Sequence, residues 1–256
     1  MFRKCKPCNL TDHLIWILLL FLLSSPPALA QINTEKMRHN PGDQGWTFSL
    51  SESMTLKRGN TSFLSFNTDL QTVLQLHSYA SFVRLNYQTA SAEKTNFENA
   101  GFLHWRNNWK LSAKVALEQY SQFEFDRSHD LDNRLLCGGG VRLQIVDKAF
   151  LGLSIMAERE DYDGWIRTRG VASSYLSIHH HPRAGLKFGN TIYLQPTLTG
   201  PFSWRLLDEG NMTVTLSRYL YFDFTINLRY ESDPYDPKNN MESFDLRLEN
   251  SISFHW

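Results

Sequence analysis

The chain has 256 residues, and its 26 lysines and arginines balance 26 aspartates and glutamates. It therefore lacks the basic excess that marks a nucleic-acid binder. Its length suits one domain, and 14 glycines and 9 prolines without a repeat exclude collagen-like and low-complexity chains.

The first element is an export signal. Arg3, Lys4 and Lys6 precede the apolar run Leu14 to Leu23, and Ala28-Leu29-Ala30 supplies small residues for cleavage. That order predicts a cleaved signal peptide over 1–30, the run being about half of the roughly 20 residues a spanning helix needs. Cys5 and Cys8 leave with it, neither placed as a lipoprotein cysteine. Cys137 remains alone and reads as a small buried or lipid-facing residue. Residues 31–44 form a short N-terminal periplasmic segment.

From residue 45 onward the chain is written in period two. Trp46, Phe48, Leu50, Met54 and Leu56 alternate with Thr47, Ser49, Ser51, Ser53, Thr55 and Lys57. Successive strand side chains point to opposite faces, so the segment is a strand with one apolar and one polar face. The same alternation sets Leu64, Phe66, Leu70, Leu74 and Leu76 against Ser65, Asn67, Asp69, Gln71 and Gln75. It returns where Leu220, Phe222, Phe224, Ile226, Leu228 and Tyr230 face away from Asp223, Thr225, Asn227, Arg229 and Glu231. The pattern predicts twelve strands near 45–57, 61–76, 78–90, 95–107, 109–122, 134–146, 149–160, 170–180, 184–198, 202–217, 220–232 and 242–256. The tenth is the least regular, slipping at Leu206 to Asn211 in a bulge or a tight turn.

Most of these strands exceed the roughly 5–6 residues of soluble sheets and suit the 9–11 a tilted strand needs to cross a bilayer. Connections after the odd strands include the long and polar "QFEFDRSHDLDN", "EDYDGWIRT" and "SDPYDPKNN", with "KRGN" and "TGP" as short exceptions on that side. Those after the even strands read as short: His77-Ser78, Asn107-Asn108, "VDK", "HPR" and "SRY". Trp46, Tyr79, Trp105, Trp109, Tyr175, Tyr193, Tyr219 and Tyr230 fall near predicted strand ends, as an aromatic girdle would. The expected fold is all-β: a closed antiparallel transmembrane β-barrel of about 12 strands, of outer-membrane type, over residues 45–256.

Four stretches sharpen the expectation. "LKRGNTSFLSFNTDL" places a Gly-Asn step between alternating strands, "CGGGVRLQI" is a glycine-containing strand, and "NTIYLQPTL" ends near Gln-Pro. "LRYESDPYDPKNNMESFDLRLENSISFHW" forms a final hairpin with an aromatic end. In their order they resemble the bacterial salt-induced outer-membrane protein family, a YdiY-like domain of unknown function. The resemblance implies an outer-membrane location, this fold and a link to salt stress. It implies no reaction and no catalytic residues.

Candidate sites follow the strand faces. Lys110, Lys114 and Glu118 are expected on one strand face, Arg134 and Arg142 on the next, then Glu158 and Glu160. Asp223, Arg229 and Glu231 precede Asp245, Arg247 and Glu249. Of these, Lys110, Lys114, Glu118, Arg142, Glu158, Asp223, Arg229, Asp245, Arg247 and Glu249 are the expected lining of a narrow or partly occluded lumen of mixed sign. In "ENSISFHW", Ile252, Phe254 and Trp256 share the outward face and are the expected assembly signal in the strand that closes against the first. Glycines in "CGGG" are expected to make room for a large inward neighbour.

Competing chemistry is weaker. His179 and His181 of "HHHP" share a strand face, and Asp126, Asp130 and Asp132 share an acidic loop, but neither has a metal-binding pattern. "HWRN", His104 to Asn107, is the nearest thing to a lipid hydrolase motif and lacks its serine. No catalytic, metal or cofactor site is expected. The expected partners are outer-membrane lipid and the barrel-assembly machinery, and the expected role is an envelope structural protein or passive pore. The alternatives are an outer-membrane lipid-modifying enzyme and a soluble periplasmic barrel binding a small apolar ligand.

Overall fold

The structure is a computed structural model that describes residues 44–58, 62–93, 95–234 and 242–254. The expected signal peptide, all of the 31–44 segment but Gln44, and Trp256 lie outside the described residues. The strands are β1 (Gly45–Lys57), β2 (Phe63–Gln75), β3 (Tyr79–Ala92), β4 (Thr95–Lys110), β5 (Val115–Asp126) and β6 (Leu131–Val146). They continue as β7 (Ala149–Tyr162), β8 (Trp165–Arg183), β9 (Leu186–Pro196), β10 (Trp204–Thr215), β11 (Leu220–Glu231) and β12 (Phe244–Phe254). All twelve lie in one antiparallel sheet, in chain order. Period-two polarity suffices to make them, because each strand pairs with the next through a short connection.

Three expectations about the connections are corrected. The loop read over 122–133 is only Arg127 to Asp130, around a single 3-10 turn at Arg127–His129. The loop read over 160–168 is the two-residue hairpin Asp163-Gly164, with φ of 50° and 86° and Tyr162 opposite Trp165. Charged residues near the turns, Glu124 and Arg167 among them, read as loop in the sequence, whereas they sit in strands and face inward. The contrast between long and short sides is correspondingly weak. Lys110, Lys114 and Glu118 do not share a strand face either: Lys110 ends β4, Lys114 lies in the turn, and Glu118 belongs to β5. The tenth strand holds neither bulge nor turn. β10 pairs without a register shift to β9 and β11, and the slip in its pattern is Asp208 on the outer face, accepting a hydrogen bond from Asn190 Nδ2 at 2.7 Å.

The sheet is strongly staggered. Stepping between directly opposite residues, a line leaves Phe244 at the start of β12 and crosses Tyr230, Leu206, Leu194 and Ser174. It continues through Leu153, Val141, Leu117 and Trp109 to Tyr79 at the start of β3. It thus falls from one end of the strands to the other in crossing nine strand spacings. With roughly 3.3 Å per residue and 4.8 Å per strand this is a tilt of about 40°, within the range of closed barrels.

The two faces differ in kind. On β5 the even positions from Glu118 to Asp126 are buried and the odd ones are more open; on β8 and β9 the odd positions are buried. The inner face carries arginine, glutamate, tyrosine and glutamine. The outer face carries Phe48, Leu103, Phe123, Ile155, Ile192 and Ile252, all exposed. Tyr175 and Tyr193 are not girdle residues: they are buried in mid-strand on the inner face, ring centroids 5.3 Å apart. Aromatic pairs do mark both ends of the outer wall, Tyr79–Trp109 at one and Trp204–Tyr230 at the other. Room for Tyr175 comes from Gly152, where an added Cβ would lie 1.9 Å from the ring.

Candidate functional site

Strand alternation places one row of inward side chains at the hairpin end of β5 to β11, and curvature brings them together. Arg134 on β6 lies opposite both Glu124 and Glu160, Arg169 on β8 opposite Glu158, and Arg205 on β10 opposite Gln195 and Glu231. The contacts reach beyond these neighbours. Arg169 binds Glu158 at 2.6 Å and reaches Glu231 on β11 at 3.5 Å. Arg205 reaches Glu158 and Glu160 on β7 at 3.2 and 3.3 Å. Arg134 meets Glu158 at 3.2 Å, and Arg167 meets Glu160 at 2.7 Å. Strands three apart are separated by roughly 14 Å along the wall, so these side chains bridge the concave side. Glu158 and Glu160 are 1% and 0% exposed, and the cavity beside Arg169, Gln195 and Arg205 is only about 10 Å³. That is at the lower limit for one water molecule.

A second layer lies nearer the opposite end. Arg106 and Glu118 approach to 3.5 Å, and the Tyr175 hydroxyl donates to Glu118 at 2.9 Å and accepts from Arg142 at 3.1 Å. Arg142 also stacks 3.8 Å from the centroid of Phe150. Tyr120, Leu136, Met156 and Val171 form an apolar plug between the two layers. Arg106 thus has a carboxylate partner and Arg142 a hydroxyl and a ring, contacts that favour a guanidinium at low dielectric.

The expected lining residues distribute over these layers unevenly. Glu118, Arg142 and Glu158 are buried on the inner face. Asp223 accepts from Thr213 Oγ1 at 2.6 Å, and Arg229 binds Glu231 at 3.0 Å. Asp245 lies opposite Arg229, and Arg247 binds Glu249 at 2.5 Å on the partly open β12. Lys110 and Lys114 are exposed at the β4–β5 turn. Ile252 is 69% exposed on the outer side of β12, opposite Phe222, and Phe254 lies opposite Leu220. Arg106, Arg169 and Arg205 were missed. The signal for Arg205 was its position opposite Glu231, hidden by the misread tenth strand.

Other candidates come apart in three dimensions. His104 points inward, its Nδ1 3.0 Å from Gln122 Oε1, while Asn107 accepts from the Tyr79 hydroxyl at 2.7 Å on the other face. They cannot share a reacting atom. Asp126 caps the 3-10 turn through Ser128 N at 3.0 Å and pairs with His129; Asp132 pairs with Arg127. The hydrogen bond to Asp126 raises the His129 pKa above its ordinary value, with burial opposing. Among the described residues, no group of three or more His, Cys, Asp or Glu could hold a metal. Cys137 is exposed on the outer face, in an apolar groove of about 580 Å³ with Trp105, Phe123, Leu135 and Ala157.

Comparison with known proteins yields a family and several distant folds. The family model described as "Protein of unknown function, DUF481" matches residues 51–256. No curated protein matches the chain. Among solved structures, the NanC porin is 10% identical, covering 82% of this chain and 99% of its own at a TM-score of 0.47. The translocator domain of the autotransporter NalP from Neisseria meningitidis is 10% identical, with 87% and 92% covered and a TM-score of 0.47. The KdgM porin is 7% identical, with 82% and 99% covered and a TM-score of 0.44.

Proposed function

We propose that this chain, which belongs to the family described as "Protein of unknown function, DUF481", is a closed outer-membrane β-barrel with a narrow, partly occluded lumen. It serves as a passive pore or structural protein of the envelope, without catalysis. One observation carries the reading: the polarity of the molecule is inside out. Glu158, Glu160 and Arg205 are buried on the inner face, while Phe48, Met54 and Ile155 are about two-thirds exposed on the outer. A soluble barrel binding an apolar ligand needs the reverse. Hydrocarbon around the wall removes the cost of the exposed apolar rows, each strand side chain being worth about 1.5–3 kcal/mol on full burial. A strand of twelve residues such as β11, tilted by about 40°, rises about 30 Å, the thickness of the hydrocarbon core. Lipid is then the partner of the wall, and the C-terminal sequence that carries Ile252, Phe254 and Trp256 is the segment offered to the assembly machinery.

The test is reconstitution. The protein is expected in the envelope membrane fraction, released only by detergent, and refolded protein in planar bilayers is expected to give small discrete conductance steps. Release without detergent would overturn the membrane reading. A silent, folded barrel would overturn the pore and leave the structural role.

Closure itself has a register. In the sheet, β1 is bonded to β2 and β12 to β11, and edge strands in hydrocarbon must pair. Inward must meet inward, so only slips of two residues are open. The register spanning both strands sets Lys57 opposite Asp245 and the outward Glu52 opposite Asn250. A slip in one direction sets Lys57 against Arg247 and Glu52 against Ile252, joining like charges and leaving the carboxylate without a polar partner. We therefore predict that Glu52→Cys with Asn250→Cys, in a Cys137→Ser background, cross-links on oxidation and resists alkylation. Met54→Cys with Asn250→Cys should react far less. Free thiols in the first pair after oxidation would refute this register.

A further inference from the structure

The lumen is filled unevenly. Contacts between strands three apart run within β5 to β11: Glu118 to Tyr175, Arg205 to Glu160, and Arg169 to Glu231. On β2 and β3 the inward contacts are between neighbouring strands, as in Arg84 with Asp69 at 2.8 Å and Val73 against Phe82. One inward row runs from Ser51 through Asp69, Asn86 and Phe102 to Glu124, Arg134, Glu160 and Arg167. Its first member therefore faces the same side as the buried network. The inward positions of β1 carry Ser49, Ser51, Ser53 and Thr55, with Asn67 of β2 opposite Ser53. Small hydroxyl residues project too little to reach across.

We propose that the route through the barrel runs along this wall, beside the Arg–Glu network rather than through it, and that it admits small uncharged hydrophilic solutes. This rests on the closed-barrel reading. Ser49, Ser51, Ser53, Thr55 and Asn67 each donate and accept hydrogen bonds, and so can replace the water that a hydroxyl-bearing solute sheds. The lining carries no ring of one charge, so it attracts neither anions nor cations strongly. The network stays shut because Glu158, Glu160 and Glu231 each hold three or more guanidiniums, and opening it would leave buried charges unpaired. The route is thus fixed by side-chain size: arginine, glutamate and tyrosine fill one side, and serine leaves the other open.

The experiment is cysteine modification during bilayer recording. Ser51→Cys in the Cys137→Ser background is treated with a charged, membrane-impermeant methanethiosulfonate, with labelling read by mass spectrometry. Conductance is expected to fall at least twofold, as is the swelling rate of proteoliposomes in a small sugar. Ser173→Cys, an inward position 5% exposed within the packed side, is expected neither to label nor to change conductance. Labelling at Ser51→Cys without a fall, no labelling there, or a fall at Ser173→Cys would each overturn the route while leaving the pore intact. Absence of conductance before any reagent would instead overturn the pore reading, and the route with it.

Discussion

Glu158→Gln is expected to destabilise the folded barrel by about 3–5 kcal/mol, the range found when one partner is removed from a buried ion network. Glu158 is 1% exposed and lies within 3.2 Å of Arg134, Arg169 and Arg205. Glutamine keeps the shape and removes the charge. Three guanidiniums would then share Glu160, Glu231 and Glu124, in a space at the lower limit for a single compensating water. The measurement is denaturant unfolding of the refolded protein in lipid vesicles, followed by tryptophan fluorescence. Arg127→Ala is the control. Its pair with Asp132 is half exposed, so its loss should cost less than about 1 kcal/mol. Equal effects at the two sites would show that the buried charges are solvated and the lumen open on this side.

A network of this kind is weak evidence for stability, since replacing all its members with apolar residues can be neutral. What it supplies here is position. Arg169 and Arg205 each hold carboxylates from β7 and β11, so a two-residue slip anywhere between those strands would leave charges unmatched. The outer face does this less well. A row of leucine and phenylalanine tolerates a slip of two, because most outward positions are apolar and polar ones such as Glu52 and Asp208 are few. In a molecule with apolar residues outside, register specificity has to come from the polar inside.

The same asymmetry governs what was legible in the sequence. All twelve strands were readable because outward apolar rows alternate with polar rows over most of their length. The ends were not. Glu160, Arg167 and Asp126 are inward strand residues, but a charged residue near a turn reads the same whether it faces solvent or a guanidinium. Tyr175 and Tyr193 looked like girdle residues because sequence gives a strand position and not a depth. The opposite charges of β6 and β7 were legible as lying on adjacent strands. The contacts from β7 to β10 and from β8 to β11 depend on curvature, which no local pattern encodes. Arg205 escaped because the irregular tenth strand hid its place opposite Glu231, and Arg169 because it falls just before the predicted eighth strand.

Gly140→Ala is expected to be the most damaging single-methyl change in the glycine run, and Gly139→Ala next to it far milder. The run Gly138 to Gly140 was expected to make room for an inward neighbour, and the two faces separate the roles. Gly138 faces inward, where an added Cβ would lie 2.7 Å from the Tyr120 ring and from Met156 Cβ and 2.8 Å from the Ile155 carbonyl oxygen, a milder backbone approach than at Gly140. At Gly140 the obstacle is backbone: the Cβ would lie 2.1 Å from the Leu153 carbonyl oxygen and 2.5 Å from Ser154 Cα. A ring can turn, but β7 can move only by breaking its ladder to β6 or β8. Gly139 faces outward, and its Cβ would meet nothing closer than the Glu118 carbonyl oxygen at 3.2 Å. Overpacking by a methyl group costs about 1–3 kcal/mol where side chains can yield. Gly140→Ala should exceed that range, and it should also lower the yield of refolded, heat-resistant barrel. Gly139→Ala should stay at or below its lower end. Matching unfolding midpoints for the two variants would mean that β6 and β7 stand further apart at Gly140 than the close approach described above.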